Sequence, residues 1–176
     1  MINRILAIVL MFWPYAFILC GLPKNEDTAS ALLVIYIIIT VIVYAVSILN
    51  AFFYRGRHKI YELALFNMLI KLIHIPFYIL IFFVAVLSAV MAVVPALVTV
   101  APLMIILLFV IDVLLMLTTS MYGISALKKA RKAGIVSKCF MIIHIILHCL
   151  FVTDVISAVI VFIKLKRKQK PVQKNN

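Results

Sequence analysis

From Leu63 to Leu127 the sequence carries only two charged side chains, Lys71 and Asp112. A helix needs about 20 apolar residues to cross a hydrocarbon core of about 30 Å, and this stretch holds two such passages. The rest of the chain agrees. Of its 176 residues 68% are hydrophobic and 12% are charged, with a mean hydropathy of +1.29, whereas a soluble domain is about half apolar. Backbone groups in hydrocarbon must be satisfied within their own segment. The expected fold is therefore all-α, an integral membrane bundle of about five transmembrane helices with short loops.

The division follows the polar interruptions. Spans are expected at about 5–22, 29–53, 63–94, 103–127 and 139–163, forming one membrane-embedded domain over 1–163, with a basic, disordered tail over 164–176. The first span imitates a signal peptide but lacks its cleavage chemistry, Leu19 standing where a small residue is needed before Cys20, and is read as retained. Pro14 predicts a kink in it. Thr28 is the expected N-cap of the second span. The third span reverses at VVPALVTVAP, bracketed by Pro95 and Pro102, because each proline disfavours helix in the residue before it. Gly134 is the expected stop after the fourth. The fifth contains no Gly or Pro, which predicts one uninterrupted helix.

The net charge of +12 on a soluble chain would point to nucleic acid; here it is read first against topology, and no nucleic-acid partner is expected. With a cytoplasmic amino terminus, Arg4, the Tyr54–Lys59 hexapeptide YRGRHK and the Lys128–Lys132 run all fall inside. The tail conflicts with this arrangement: an apolar fifth helix should cross, yet the basic residues on both of its flanks ask for the same side. Five crossings are the favoured reading, in a multi-pass membrane protein. The expected partners are the bilayer, anionic headgroups through the C-terminal tail, and a second copy or larger membrane protein.

Polar residues in lipid are costly, so their angular placement marks protein-covered faces. Tyr36, Thr40, Tyr44, Ser47, Asn50 and Tyr54 recur at spacings of three and four, within an arc of about 120°. This stripe reads as an interhelical packing face, with a solute path as the lesser alternative. Asn67, Lys71, His74 and Tyr78 share an arc of about 60° beside Pro76. Two readings of Lys71 are open: half of an intramembrane charge site, or an amine snorkelling to the headgroups from the first turns of a long helix. Asp112 lies about 15 Å into its span and must be paired, hydrogen-bonded or protonated, with Lys71 the natural partner and Asp154 a second carboxylate. Thr119, Gly123 and Ala126 on the same helix are small enough to admit a neighbour.

His144 and His148 stand at i and i+4, a metal-ligand spacing for which Asp154 or His74 would be the third ligand. Without HExxH, these histidines read as packing groups. Cys20, Cys139 and Cys149 are odd in number and sit in apolar runs, so all three read as small buried hydrophobes. There is no phosphate-binding loop, no G-x-S-x-G and no paired-Cys zinc motif. No cofactor and no enzymatic activity are expected.

Two stretches, Asn67–Tyr78 NMLIKLIHIPFY and Ser120–Ala126 SMYGISA, with the later Val152–Ala158 VTDVISA, resemble an uncharacterised family of small polytopic membrane proteins from Firmicutes, a domain of unknown function. The resemblance implies a bacterial plasma membrane and assigns no catalytic residue. The leading expectation is a non-enzymatic membrane component or interaction subunit. The alternative is a small transporter or ion- or proton-conducting subunit built on Asn67, Lys71, His74, Asp112, His144, His148 and Asp154.

Overall fold

The computed structural model describes residues 2–20, 22–53, 59–148 and 150–169, and every regular element among them is helical. Most of the basic hexapeptide (54–58), Cys149 and the end of the tail (170–176) lie outside these residues, while 164–169, expected in a disordered tail, instead continue the last helix. The elements are α1 (Ile2–Phe12), a 3₁₀ turn (Trp13–Ala16), α2 (Phe17–Cys20), α3 (Glu26–Phe53), α4 (Lys59–Met91), a 3₁₀ turn (Pro95–Leu97), α5 (Val100–Lys132), α6 (Lys138–Leu147) and α7 (Phe151–Gln169). Three helices, within α3, α4 and α5, are long and apolar enough to cross a membrane. Their outward faces carry Leu, Ile, Val and Phe side chains that a soluble fold would have to bury.

Local chemistry explains the boundaries. Pro14 sits in the 3₁₀ turn that interrupts the first segment, as expected for a residue that removes a helical hydrogen bond. The cap of α3 differs from expectation: the Asn25 side chain accepts from the Asp27 N–H at 3.1 Å, so the helix starts at Glu26 and Thr28 lies inside it. Pro76 is carried within α4, and the Tyr15 hydroxyl donates to the neighbouring Ile73 carbonyl at 2.5 Å. Pro102 falls in the first turn of α5, where its missing N–H costs nothing. At the far end of α5, Gly134 adopts φ +69°. Its N–H bonds the Arg131 carbonyl at 3.0 Å, and the Ile135 N–H bonds Ala130 at 2.9 Å; this paired closure needs a left-handed residue at that point.

The largest departure from expectation is in the last segment. Residues 139–163 are not one helix: α6 ends at Leu147, and α7 begins at Phe151 and folds back along it. His144 Nδ1 lies 2.8 Å from Ser157 Oγ, and the Lys164 amine lies 3.4 Å over the Phe140 ring. A straight helix would hold each of these pairs about 20 Å or more apart. No glycine or proline makes the break. Side-chain hydroxyls instead bond the carbonyls exposed there: Thr153 donates to Leu147 and Leu150, and Ser120 of α5 donates to His148. The hairpin returns the chain to its own starting level, where Lys168 Nζ bonds the Ile135 carbonyl at 2.9 Å.

The contacts fix the relative directions. Arg4 pairs with Glu62 and Leu10 lies against His74, so α1 runs alongside α4 in the same direction. Asn50 meets Tyr122 and Ala51 meets Ser125, so α3 and α5 are parallel. Asn67 meets Gly123 and Lys71 meets Ser120, so α4 and α5 are antiparallel. Arg4, the Lys128–Lys132 run, Lys138 and Lys164–Lys168 consequently share one end of the molecule. Lys24, Glu26 and Asp27 lie toward the other.

Candidate functional site

The site is built where α4, α5 and the hairpin tip meet. Asn67, Lys71 and His74 project from one face of α4, and all three are buried. Lys71 is 1% exposed; its amine forms an ion pair with Asp154 Oδ2 and bonds Ser120 Oγ at 3.0 Å and Thr119 Oγ1 at 3.4 Å. The snorkelling reading fails on this geometry, because the amine points into the bundle. Asp154 divides its oxygens: Oδ2 takes Lys71, and Oδ1 takes His148 Nδ1 at 2.6 Å. Lys71 and Asp154 are thus matched in charge, and Ser120, Thr119 and His148 supply the further hydrogen bonds that a buried ion pair needs in a low-dielectric interior.

The helix break makes this contact available. In a continuous helix His148 and Asp154 would stand about 120° apart around the axis and about 9 Å apart along it. Across the turn, six residues bring them together.

Gly123 fits the hairpin tip to α5. A Cβ there would lie 2.6 Å from His148 Nε2 and 2.7 Å from Asn67 Nδ2. The absent side chain is therefore the space into which the histidine and the carboxamide pack. Thr119 and Ala126 are also fully buried, completing the small-residue face. His148 Nε2 and both Asn67 amide atoms have no hydrogen-bond partner among the described residues.

His74 plays a different part. Its Nε2 lies 3.2 Å from the Leu10 carbonyl. A carbonyl only accepts, so the proton is on Nε2 and the ring ties α1 to α4. His144 bonds Ser157 inside the hairpin, and His148 bonds Asp154. The two histidines thus serve separate partners, and among the described residues no group of three His, Cys, Asp or Glu side chains is placed to hold a metal ion.

Asp112 does not pair with Lys71, contrary to expectation. The amine goes to Asp154 from the hairpin, while Asp112 lines a separate, mostly apolar cleft of about 630 Å³ with Tyr78 and Phe109. Its Oδ1 has no partner among the described residues.

The stripe on α3 faces the bundle. Trp13 stacks on Tyr36 with ring centroids 5.6 Å apart and donates to Thr40 Oγ1 at 2.8 Å; Asn50 donates to the Tyr122 hydroxyl at 3.2 Å. Ser47 is buried, and Tyr44 packs partly buried against the core. Tyr54 lies outside the described residues. Of the cysteines, Cys20 is half-buried with Sγ 3.8 Å from the Leu32 carbonyl, whereas Cys139 is exposed, against the expectation of a packing role.

Sequence reasoning did not single out Ser120, which bridges Lys71 and the His148 carbonyl. The available signal was the hydroxyl run Thr118-Thr119-Ser120 in an otherwise apolar part of α5.

A family model described as Family of unknown function (DUF6652) matches residues 3–167. No curated protein and no solved structure matches the chain.

Proposed function

The chain belongs to this family of unknown function, and on that premise we propose that it is a non-enzymatic, multi-pass component of a bacterial plasma membrane. Four passages are proposed, formed by the first segment and by α3, α4 and α5. The α6–α7 hairpin enters from the basic end and returns to it. The amino terminus and the tail then share the cytoplasmic side, which removes the conflict between an apolar last segment and its two basic flanks. The partners are the bilayer, anionic headgroups at the basic end, each Lys or Arg contributing about 1 kcal/mol near such a surface, and a second copy or larger membrane protein.

One observation carries the reading. Lys71, the one fully buried Lys or Arg among the described residues, has its charge and hydrogen bonds answered within its own chain, by Asp154, Ser120 and Thr119. An ion pair closed in this way supports a packing role, because conduction through the candidate cluster calls for Asp112, His74 and Asp154 around one shared space. Asp112 instead faces its own cleft, and His74 is bonded to the α1 backbone.

Reconstitution tests the proposal. Proteoliposomes containing the full chain are expected to show no proton or ion flux above protein-free vesicles. If flux appeared, and Lys71→Leu and Asp112→Leu each abolished it while the protein still assembled, conduction would replace packing as the function.

A further inference from the structure

The α6–α7 hairpin covers only part of the surface between α4 and α5. Its ten-residue α6 reaches about 15 Å inward. Beyond the tip, where Val155 and Ile156 form a floor, the facing walls of α4 and α5 stay open as the cleft of about 630 Å³. That volume is in the range of small-molecule sites. Among the described residues Asp112 is the one charged side chain lining it, Tyr78 adds a hydroxyl, and Phe82 and Phe109 add aromatic surface. Both phenylalanines are 64% exposed. No cationic side chain among the described residues lines the cleft.

We infer that this cleft binds a hydrophobic organic cation, with the positive centre against Asp112 and the apolar body against Tyr78, Phe82 and Phe109.

The chemistry selects this class by elimination. An anion meets a carboxylate in low dielectric, where like charges repel strongly. A neutral hydrocarbon fits the walls but leaves the Asp112 carboxylate without a counter-charge, and an uncompensated charge in an apolar setting is costly. A small hydrated cation gains the carboxylate but must surrender its water without filling the walls. An organic cation satisfies both, and aromatic faces attract positive charge through the ring quadrupole.

The test uses the full chain purified in a nonionic detergent, with tetraphenylphosphonium as the probe, measured by equilibrium dialysis. Saturable binding is expected, weakened at least tenfold in Asp112→Asn and retained in Asp112→Glu. Ala85→Trp, which fills the cleft without touching the carboxylate, is expected to abolish binding and keeps the inference falsifiable if Asp112→Asn does not fold. Equal binding of uncharged triphenylphosphine oxide would identify an acyl-chain groove and overturn the assignment. So would undiminished binding in Asp112→Asn, absence of binding in the native chain, or a dimer cross-linked through this cleft that takes up no cation. Because binding is read without flux, its outcome stands apart from the proteoliposome result.

Discussion

Lys71 and Asp154 are 83 residues apart in the chain and form an ion pair in the buried centre of the fold, one on a long helix and the other in the first turn of the hairpin's returning arm. Removing one partner leaves the other charge buried and uncompensated, which costs about 3–5 kcal/mol. Lys71→Met and Asp154→Leu are each expected to destabilise the protein on that scale, and the double substitution by less than the two combined. Denaturation of the four proteins in detergent measures the coupling; additive losses would show that the pair does not act as a unit.

The small-residue face makes a steric prediction. A Cβ at position 123 meets His148 Nε2 at 2.6 Å and Asn67 Nδ2 at 2.7 Å. Overpacking of this kind costs about 1–3 kcal/mol, so Gly123→Ala should lower the melting temperature. Asn67→Ala placed beside it should restore part of the loss, since it removes one of the two clashing groups. A melting temperature unchanged by Gly123→Ala would mean that the hairpin tip is less closely seated.

The turn between α6 and α7 predicts a sidedness. With the native cysteines replaced by serine, single cysteines introduced at Lys138 and Lys168 should react with an impermeant maleimide from the same side of sealed vesicles. A cysteine introduced at Lys24 should react only from the opposite side. Labelling of positions 138 and 168 from opposite sides would restore a crossing fifth helix.

Trp13 is the protein's single tryptophan, so its fluorescence reports the contact between the first segment and α3. Tyr36→Leu removes the stacked ring and Thr40→Val removes the acceptor of its indole N–H. Both are expected to shift its emission while costing only about 0.6–1.7 kcal/mol, the range of single interhelical hydrogen bonds in membranes. Identical spectra in all three proteins would place Trp13 away from α3.

Periodicity located the polar faces because a helix converts spacing into angle without reference to neighbours. Tyr36, Thr40, Ser47 and Asn50 therefore face the bundle, and Asn67, Lys71 and His74 share one buried face. Partner choice was not legible. Lys71 had two carboxylates available, and depth along the antiparallel neighbour favoured Asp112, whereas the fold turns Asp154 inward through a break that no glycine or proline announces. That break rests on Ser120 and Thr153 donating to carbonyls, a tertiary arrangement invisible to helix propensity. The sequence did carry an indirect sign of it, the two basic flanks that asked for one side. Charge distribution was the better guide there, and uninterrupted apolar length the poorer one.

The separation of Lys71 from Asp154 also orders events during synthesis. At roughly 5–20 residues per second, about 4–17 s pass between making the lysine and making its carboxylate. α5 is complete at Lys132, so for roughly the last 1–4 s of that interval α4 and α5 can associate only around an amine still lacking its counter-charge. The hairpin is made after the other described helices and is the element that neutralises it, so a chain truncated before Asp154 is not a smaller version of the bundle but an unfinished one, with a cationic defect left uncompensated at its centre.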